Sequence, residues 1–417
     1  MAEVRPLEAL HYNLSAISSL ADVTAPPYDV IDSKQRAELL ARSPLNVVEI
    51  DLPQAPAGRD PYEHAAETLE TWALQGILVA DREPAIWALT QDYEGPDGSR
   101  RTRHGFLARV RVTEYGPGLV RPHERTQPGP KEDRLRLTKA TRHNLSPIFA
   151  LHPGDAWRQI EPHLGAEPWG EVTDPDGTVH RVWRIADPAI HEAAARELAD
   201  AELLIADGHH RYETARAYAD EIGGEGPHRY TLMCLVSLED SGLTIFGTHR
   251  LLRDLDADGR ERLGIGIREY FHLEEVAEDD LDPARSHGTG VFAYLDAPSR
   301  QALRLRLKDT AALDEALGAH SEAYRRLDAV IFEELILKRT LGMSDEDIAA
   351  KRGLGYAKSV AEAKNLLDEG AYQAAFLLRP TPVAPVREAA AAGETMPPKS
   401  TYFFPKVLTG LVFNPLS

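Results

Sequence analysis

Glu202-Leu203-Leu204-Ile205-Ala206-Asp207-Gly208-His209-His210-Arg211-Tyr212-Glu213-Thr214-Ala215 decides how this chain folds. Residues 202–206 form a short apolar run with the length and composition of a strand. Asp207 and Gly208 break the run. Residues 212–221 then read as a helix that ends near Gly223 and Gly224. A strand that turns into a helix through a glycine belongs to an α/β architecture. Gly208 allows close approach of backbone to a ligand. His209, His210 and Arg211 fall on the first turn of the helix, where free N–H groups and partial positive charge favour phosphate. Arg211 has the planar fork that grips phosphate oxygens. Asp207 suits a metal ion or a substrate amine. A plain capped helix start fits the same residues, because Asp is a favoured N-cap. Adjacent histidines on a helix point apart, which counts against a two-histidine metal chelate and a metal-dependent hydrolase.

Working outward, residues 230–237 read as a buried strand that includes the single cysteine, Cys234, as a core thiol. Strands are expected at residues 46–51, 85–89, 105–112, 146–152, 178–184 and 374–379. Helices are expected at 33–41, 60–75, 131–143, 190–201, 359–369 and 386–392, with a helical pattern over 309–341 and a short helix near 345–351. The polar turn 94–98 and the pair Asp176-Gly177 suggest β-hairpins. The sum is α/β tending to α+β, with a mixed β-sheet flanked by helices. Three regions are expected: 1–150, 151–300, and a helical 301–417 that can pack as one unit with the rest.

The chain has 417 residues, with 47 Lys plus Arg against 66 Asp plus Glu, a formal net charge of −19. An acidic field repels phosphate backbones, so nucleic acid is not an expected partner. An anion site here needs a local basic pocket inside an acidic body. One cysteine excludes a disulfide within one chain. No apolar run approaches a membrane span and residues 1–7 lack a signal-peptide core, so no membrane partner and a cytoplasmic location are expected.

Three further clusters carry reactive side chains. Arg121-Pro122-His123-Glu124-Arg125-Thr126 is followed by a basic run from Lys131 to Arg136. Cations around Glu124 keep it ionised, which suits a general base or metal ligand; a salt-bridged helix face is the plain alternative. Met396-Pro397-Pro398-Lys399-Ser400-Thr401 echoes the end of a phosphate-binding loop but lacks its glycines, so it is not a P-loop. Pro26-Pro27-Tyr28-Asp29 and Thr248-His249-Arg250 are weaker candidates. Gly264-Ile265-Gly266 lacks the third glycine and strand of a dinucleotide fingerprint and is set aside.

Taken together, residues 25–31, 122–126, 206–215, 248–250 and 396–403 resemble a widespread bacterial family catalogued as a domain of unknown function. The Asp207–Arg211 turn also resembles the phosphate-binding motif of the ParB/sulfiredoxin-like superfamily, which includes free-serine kinases. The resemblance implies a small-molecule kinase that transfers phosphate from ATP or ADP, with Mg2+, to the hydroxyl of free L-serine. It implies that Gly208, His209, His210 and Arg211 hold nucleotide phosphates. Glu124 would orient or deprotonate the serine hydroxyl, Asp207 would contact the metal or the serine ammonium, and His210 would join them in catalysis. Arg250 and Lys399 would meet charge on the transferred group. The alternative is a CTP- or ATP-binding regulatory or scaffold protein without turnover. A homodimer is left open.

Overall fold

The computed structural model describes residues 2–95, 98–126, 128–283, 288–397 and 399–417. Of the turn expected at 94–98, Pro96 and Asp97 lie outside them, as does Pro398 of the 396–401 motif. The chain divides into two units. The first is Met1–Pro122, Thr126–Thr244 and Pro405–Ser417, and the second is His123–Arg125 and Ile245–Phe404.

Unit one is built on a mixed sheet. Its strands are β1 (Val4–Arg5), β2 (Ile86–Glu94), β3 (Arg100–Arg111), β4 (Val120–Arg121), β5 (Ile148–His152), β6 (Gly170–Thr173), β7 (Val179–Ile185), β8 (Leu203–Asp207) and β9 (Tyr230–Ser237). The order is β4-β8-β5-β9-β3-β2-β7-β6, with β1 also paired to β3. The β4–β8 and β5–β9 pairs are parallel and the others antiparallel. This is the mixed sheet with flanking helices that the sequence pattern implied. Every residue of β9 is buried, as its continuous apolar run requires of a strand covered on both faces. One face carries the core of Phe106, Ala108, Met233, Leu235, Ile148, Ala150, Leu203 and Ile205. Each fully buried Phe, Met, Ile or Leu side chain among them contributes about 1.5–3 kcal/mol. Cys234 is a buried core thiol, pushed up to about 12 by burial.

Two helices of unit one matter for the site. They are α1 (Pro128–Thr141) and α2 (His209–Ile222), and they pack against each other. Lys131 Nζ donates to Glu213 at 2.8 Å, and Thr126 Oγ1 donates to the same carboxylate at 2.9 Å. Two of the sequence motifs are thus tied together within one unit.

Residues 46–51 are not a strand. Asn46 Oδ1 accepts from the Val48 N–H at 3.1 Å, and its amide donates to the carbonyls of Asp22 and Thr24 at 2.8 and 3.0 Å. Those bonds turn the chain into a short helix, Val48–Asp51, despite its branched residues. The hairpin strands β2 and β3 run longer than expected. The helical pattern over 309–341 is interrupted, giving Ala311–Leu317, Glu322–Arg325 and Asp328–Phe332, the last running into a π-helix, Glu333–Thr340.

Unit two has an antiparallel sheet of β10 (His249–Leu252), β11 (Phe271–Glu275), β12 (Val291–Asp296), β13 (Ala302–Leu307), β14 (Leu354–Ala357) and β15 (Ala374–Leu377). Their order is β11-β13-β12-β15-β10-β14. Alternate residues serve two cores: Phe292, Tyr294 and Phe376 on one face, Ala293, Leu295 and Leu377 on the other. Gly266 lies inside a helix, Ala257–Tyr270, where a Cβ would collide with the Thr340 side chain, so it serves close packing rather than a nucleotide turn. Among the described residues no helix is long and apolar enough to cross a membrane.

Candidate functional site

The turn between β8 and α2 is built by three local features. Asp207 is the last residue of β8, so it is not the cap of the helix. Gly208 takes the N-cap position with φ +96°, in the left-handed region that L side chains avoid. The pairing of β8 with β5 shifts register between Ile205 and Asp207. Ile205 faces Ala150, whereas Asp207 faces Phe149, one residue earlier on β5. Such a bulge re-aims a side chain. Ile205 stays with the core described above. Asp207 moves to the opposite face, which it shares through the pairings Phe149–Cys234, Cys234–Leu107, Leu107–Trp87 and Arg103–Gln91.

On that face Asp207 meets cations. Arg211 Nη2 donates to Asp207 Oδ2 at 3.1 Å, and Lys406 Nζ lies 3.3 Å from Asp207 Oδ1. Arg211 Nη1 donates to Ser146 Oγ at 2.7 Å and to the Pro147 carbonyl. Its Nε is buried with no hydrogen-bond partner among the described residues. The guanidinium is thus held rigidly by the strand entry and the turn. His209 is buried and His210 is partly exposed at the helix start.

A cavity beside the turn is lined by Tyr28, Asp51, Arg134, Ser146, Arg211 and Thr214. Three separate motifs meet there: Tyr28 of 26–29, Arg134 of the basic run, and Arg211. Arg134 donates to the Asp51 carboxylate at 3.1 Å and to its carbonyl at 2.7 Å, and it lies 4.3 Å from the centre of the Tyr28 ring. Burial raises the Asp51 carboxyl above its ordinary range, and the charges of Arg134 and Arg211 oppose that rise. Burial pushes the Tyr28 phenol up to about 12.

Arg103 escaped the sequence reading. It follows the charged pair Arg100-Arg101, which resembles a loop, and the strand was expected to begin at Gly105. Alternation along the longer β3 sets Arg103, Gly105 and Leu107 on one face. The side chain is 1% exposed, and its guanidinium lies 4.4 Å from the centre of the ring of Phe149, the residue paired with Asp207. Burial pushes the Arg103 guanidinium down to about 10, so it stays charged at neutral pH. Lys406, just beyond the 396–403 motif, is held against Asp207 within unit one.

Glu124, Arg250 and Lys399 belong to unit two. Glu124 forms a bridge with Met396, whose N–H donates to the His123 carbonyl at 2.7 Å. His123 Nε2 lies 2.8 Å from Thr401 Oγ1. The 122–126 and 396–403 motifs therefore pair with each other through residues of unit two. Arg250 is buried, donates to the Thr248 carbonyl at 2.6 Å and lies 5.0 Å from the centre of the Tyr356 ring. Burial lowers its guanidinium, opposed by Tyr356, Glu333 and Glu124. Lys399 adopts φ +59°.

Among the described residues, no group of three or more His, Cys, Asp or Glu side chains is arranged to hold a metal ion. Mg2+ commonly takes one or two carboxylates and completes its shell from phosphates and water. Asp207 is the right donor type, and a metal there would share its oxygens with Arg211 and Lys406.

A family model described as a protein of unknown function (DUF1015) matches residues 4–330. The chain belongs to that family. No match was found among curated proteins. The DUF1015 chain is similar to a free serine kinase in complex with AMP, at 14% identity and a TM-score of 0.38 over 71% of this chain and 88% of that one. It is also similar to a conserved hypothetical protein from Pyrococcus furiosus, at 15% identity and a TM-score of 0.35 over 68% and 86%. SbnI with C-terminal truncation from Staphylococcus aureus is a third likeness, at 12% identity and a TM-score of 0.37 over 73% and 85%. TM-scores below 0.5 carry no argument about chemistry.

Gly208 supplies a test of the turn in this DUF1015 chain. A Cβ at Gly208 would lie 2.9 Å from Arg211 Nε, on a backbone of φ +96°. Gly208→Ala is expected to cost about 1–3 kcal/mol, as left-handed strain and displacement of Arg211 add. Chemical denaturation checks this; an unchanged midpoint contradicts the assigned geometry.

Proposed function

We propose that this chain is a nucleotide-dependent phosphotransferase that moves a phosphoryl group from ATP or ADP to the hydroxyl of free L-serine, giving O-phosphoserine. One observation carries the reading: in a chain of net charge −19, unit one gathers Arg211 and Lys406 on Asp207, beside a glycine-led helix start, with Arg103 against the ring of Phe149, the strand partner of Asp207. Two cations on one carboxylate, with a third buried on the same sheet face, give the local basic character that an anion site in an acidic protein requires.

Phosphoryl transfer asks mainly for positioning and charge neutralisation. The first turn of α2, with its positive dipole end at His209 and His210, suits phosphate oxygens, and His210 is the histidine with access to solvent. Arg211 is anchored by Ser146 and Pro147, so it acts as a fixed charge rather than a mobile fork. Mg2+ would neutralise phosphate charge, with Asp207 as its protein donor. Without a metal there, Asp207 suits the serine ammonium. The resemblance of the 122–126 motif gives Glu124 the role of accepting the proton from the serine hydroxyl.

The test is incubation of the full chain with L-serine, Mg2+ and either ATP or ADP. O-phosphoserine is the expected product. Nucleotide binding with no product under any of these conditions would leave a binding or scaffold protein and remove the kinase.

A further inference from the structure

The anchored turn leaves Arg103 unexplained. Its Nε donates to Gln91 Oε1 at 2.9 Å, and its Nη2 donates to the same oxygen. Gln91 is itself fixed. Its Nε2 donates to the Lys406 carbonyl at 2.9 Å and lies 3.1 Å from His180 Nδ1. His180 Nε2 in turn lies 2.9 Å from Asp174 Oδ2. The chain Asp174–His180–Gln91 therefore pins the amide so that its oxygen aims at Arg103. This arrangement orients the guanidinium without neutralising it. Asp240 and Asp207 act on it only through space. Among the described residues its Nη1 has no hydrogen-bond partner, although the side chain is 1% exposed.

Burying a permanent charge against a neutral amide and an aromatic ring is strongly unfavourable for folding. Replacing such a group with an apolar one of similar volume commonly stabilises a protein. A fold that instead fixes the guanidinium through a dedicated amide chain is preorganised for an anion.

We infer that Arg103 is a binding residue whose Nη1 takes an oxygen of a ligand phosphate on the sheet face beside Phe149 and the Asp207–Arg211 turn. The inference deepens the phosphate reading of that turn and rests on it. It adds a deep, water-excluded ligand to the partly exposed helix start.

The test uses the full chain, with ADP as probe, in wild type, Arg103→Met and Arg103→Lys. In Arg103→Met, ADP affinity is expected to fall at least tenfold while the ligand-free midpoint temperature rises by about 2–5 °C, since an uncompensated buried charge is gone. A residue needed only for packing would lower that midpoint. ADP affinity within threefold of wild type in Arg103→Met overturns the inference. If the Met protein does not fold, Arg103→Lys decides in the same way: a tenfold loss supports the inference and an unchanged affinity overturns it. ADP binding that needs Arg103, without O-phosphoserine formation, removes the kinase reading alone. O-phosphoserine formation with ADP affinity untouched in Arg103→Met removes the inference alone.

Discussion

Arg134→Ala is expected to destabilise unit one by about 3–5 kcal/mol, the range for removing one partner of a buried ion pair. Arg134 is 5% exposed and Asp51 is 4% exposed, so neither charge has water to fall back on. Without Arg134 the Asp51 carboxylate is left buried, and the stacking on Tyr28 is lost. The cost depends on pH in a defined direction. Burial already raises the Asp51 carboxyl, and loss of its cation raises it further. Protonated Asp51 needs no counter-charge, so the difference between variant and wild type shrinks as pH falls from neutral toward the carboxylate range. Denaturant unfolding at two pH values measures this. A change below about 1 kcal/mol at pH 7 contradicts the role given to the pair.

The second large effect is catalytic. Glu124→Gln is expected to keep ADP affinity within threefold and lower O-phosphoserine formation by about 10²–10⁴, the usual contribution of a positioned proton acceptor. The amide preserves shape and cannot take the proton. Steady-state turnover beside equilibrium titration separates the two quantities. Wild-type turnover in the Gln protein excludes Glu124 as base.

The parts of this site that could be read in the sequence were those with a local signature. Residues 202–221 announce a strand, a glycine turn and a helix through periodicity alone, and the structure places β8 and α2 there. The parts that could not be read depend on register. Nothing in Ile205-Ala206-Asp207 signals a bulge, yet that one-residue shift puts Asp207 on the face of Arg103 instead of the core face. Arg103 itself hides in a charged run that resembles a loop. Its inward position follows only from pairing with Gln91 on β2. Residues 46–51 misled because branched apolar residues suggested a strand, while the side-chain bonds of Asn46 are local chemistry that outweighs that propensity. The cap reading of Asp207 failed for a similar reason. Gly208, with its left-handed backbone, takes the cap and frees the carboxylate to meet Arg211 and Lys406.

The central claim is that the Asp207–Arg211 turn holds a nucleotide phosphate. Titration of ADP into the wild-type chain and into His210→Ala, with folding checked by circular dichroism, tests it most directly. Wild type is expected to bind ADP, and the folded variant to lose at least tenfold in affinity. Equal affinity in the two proteins would take the turn out of the binding site.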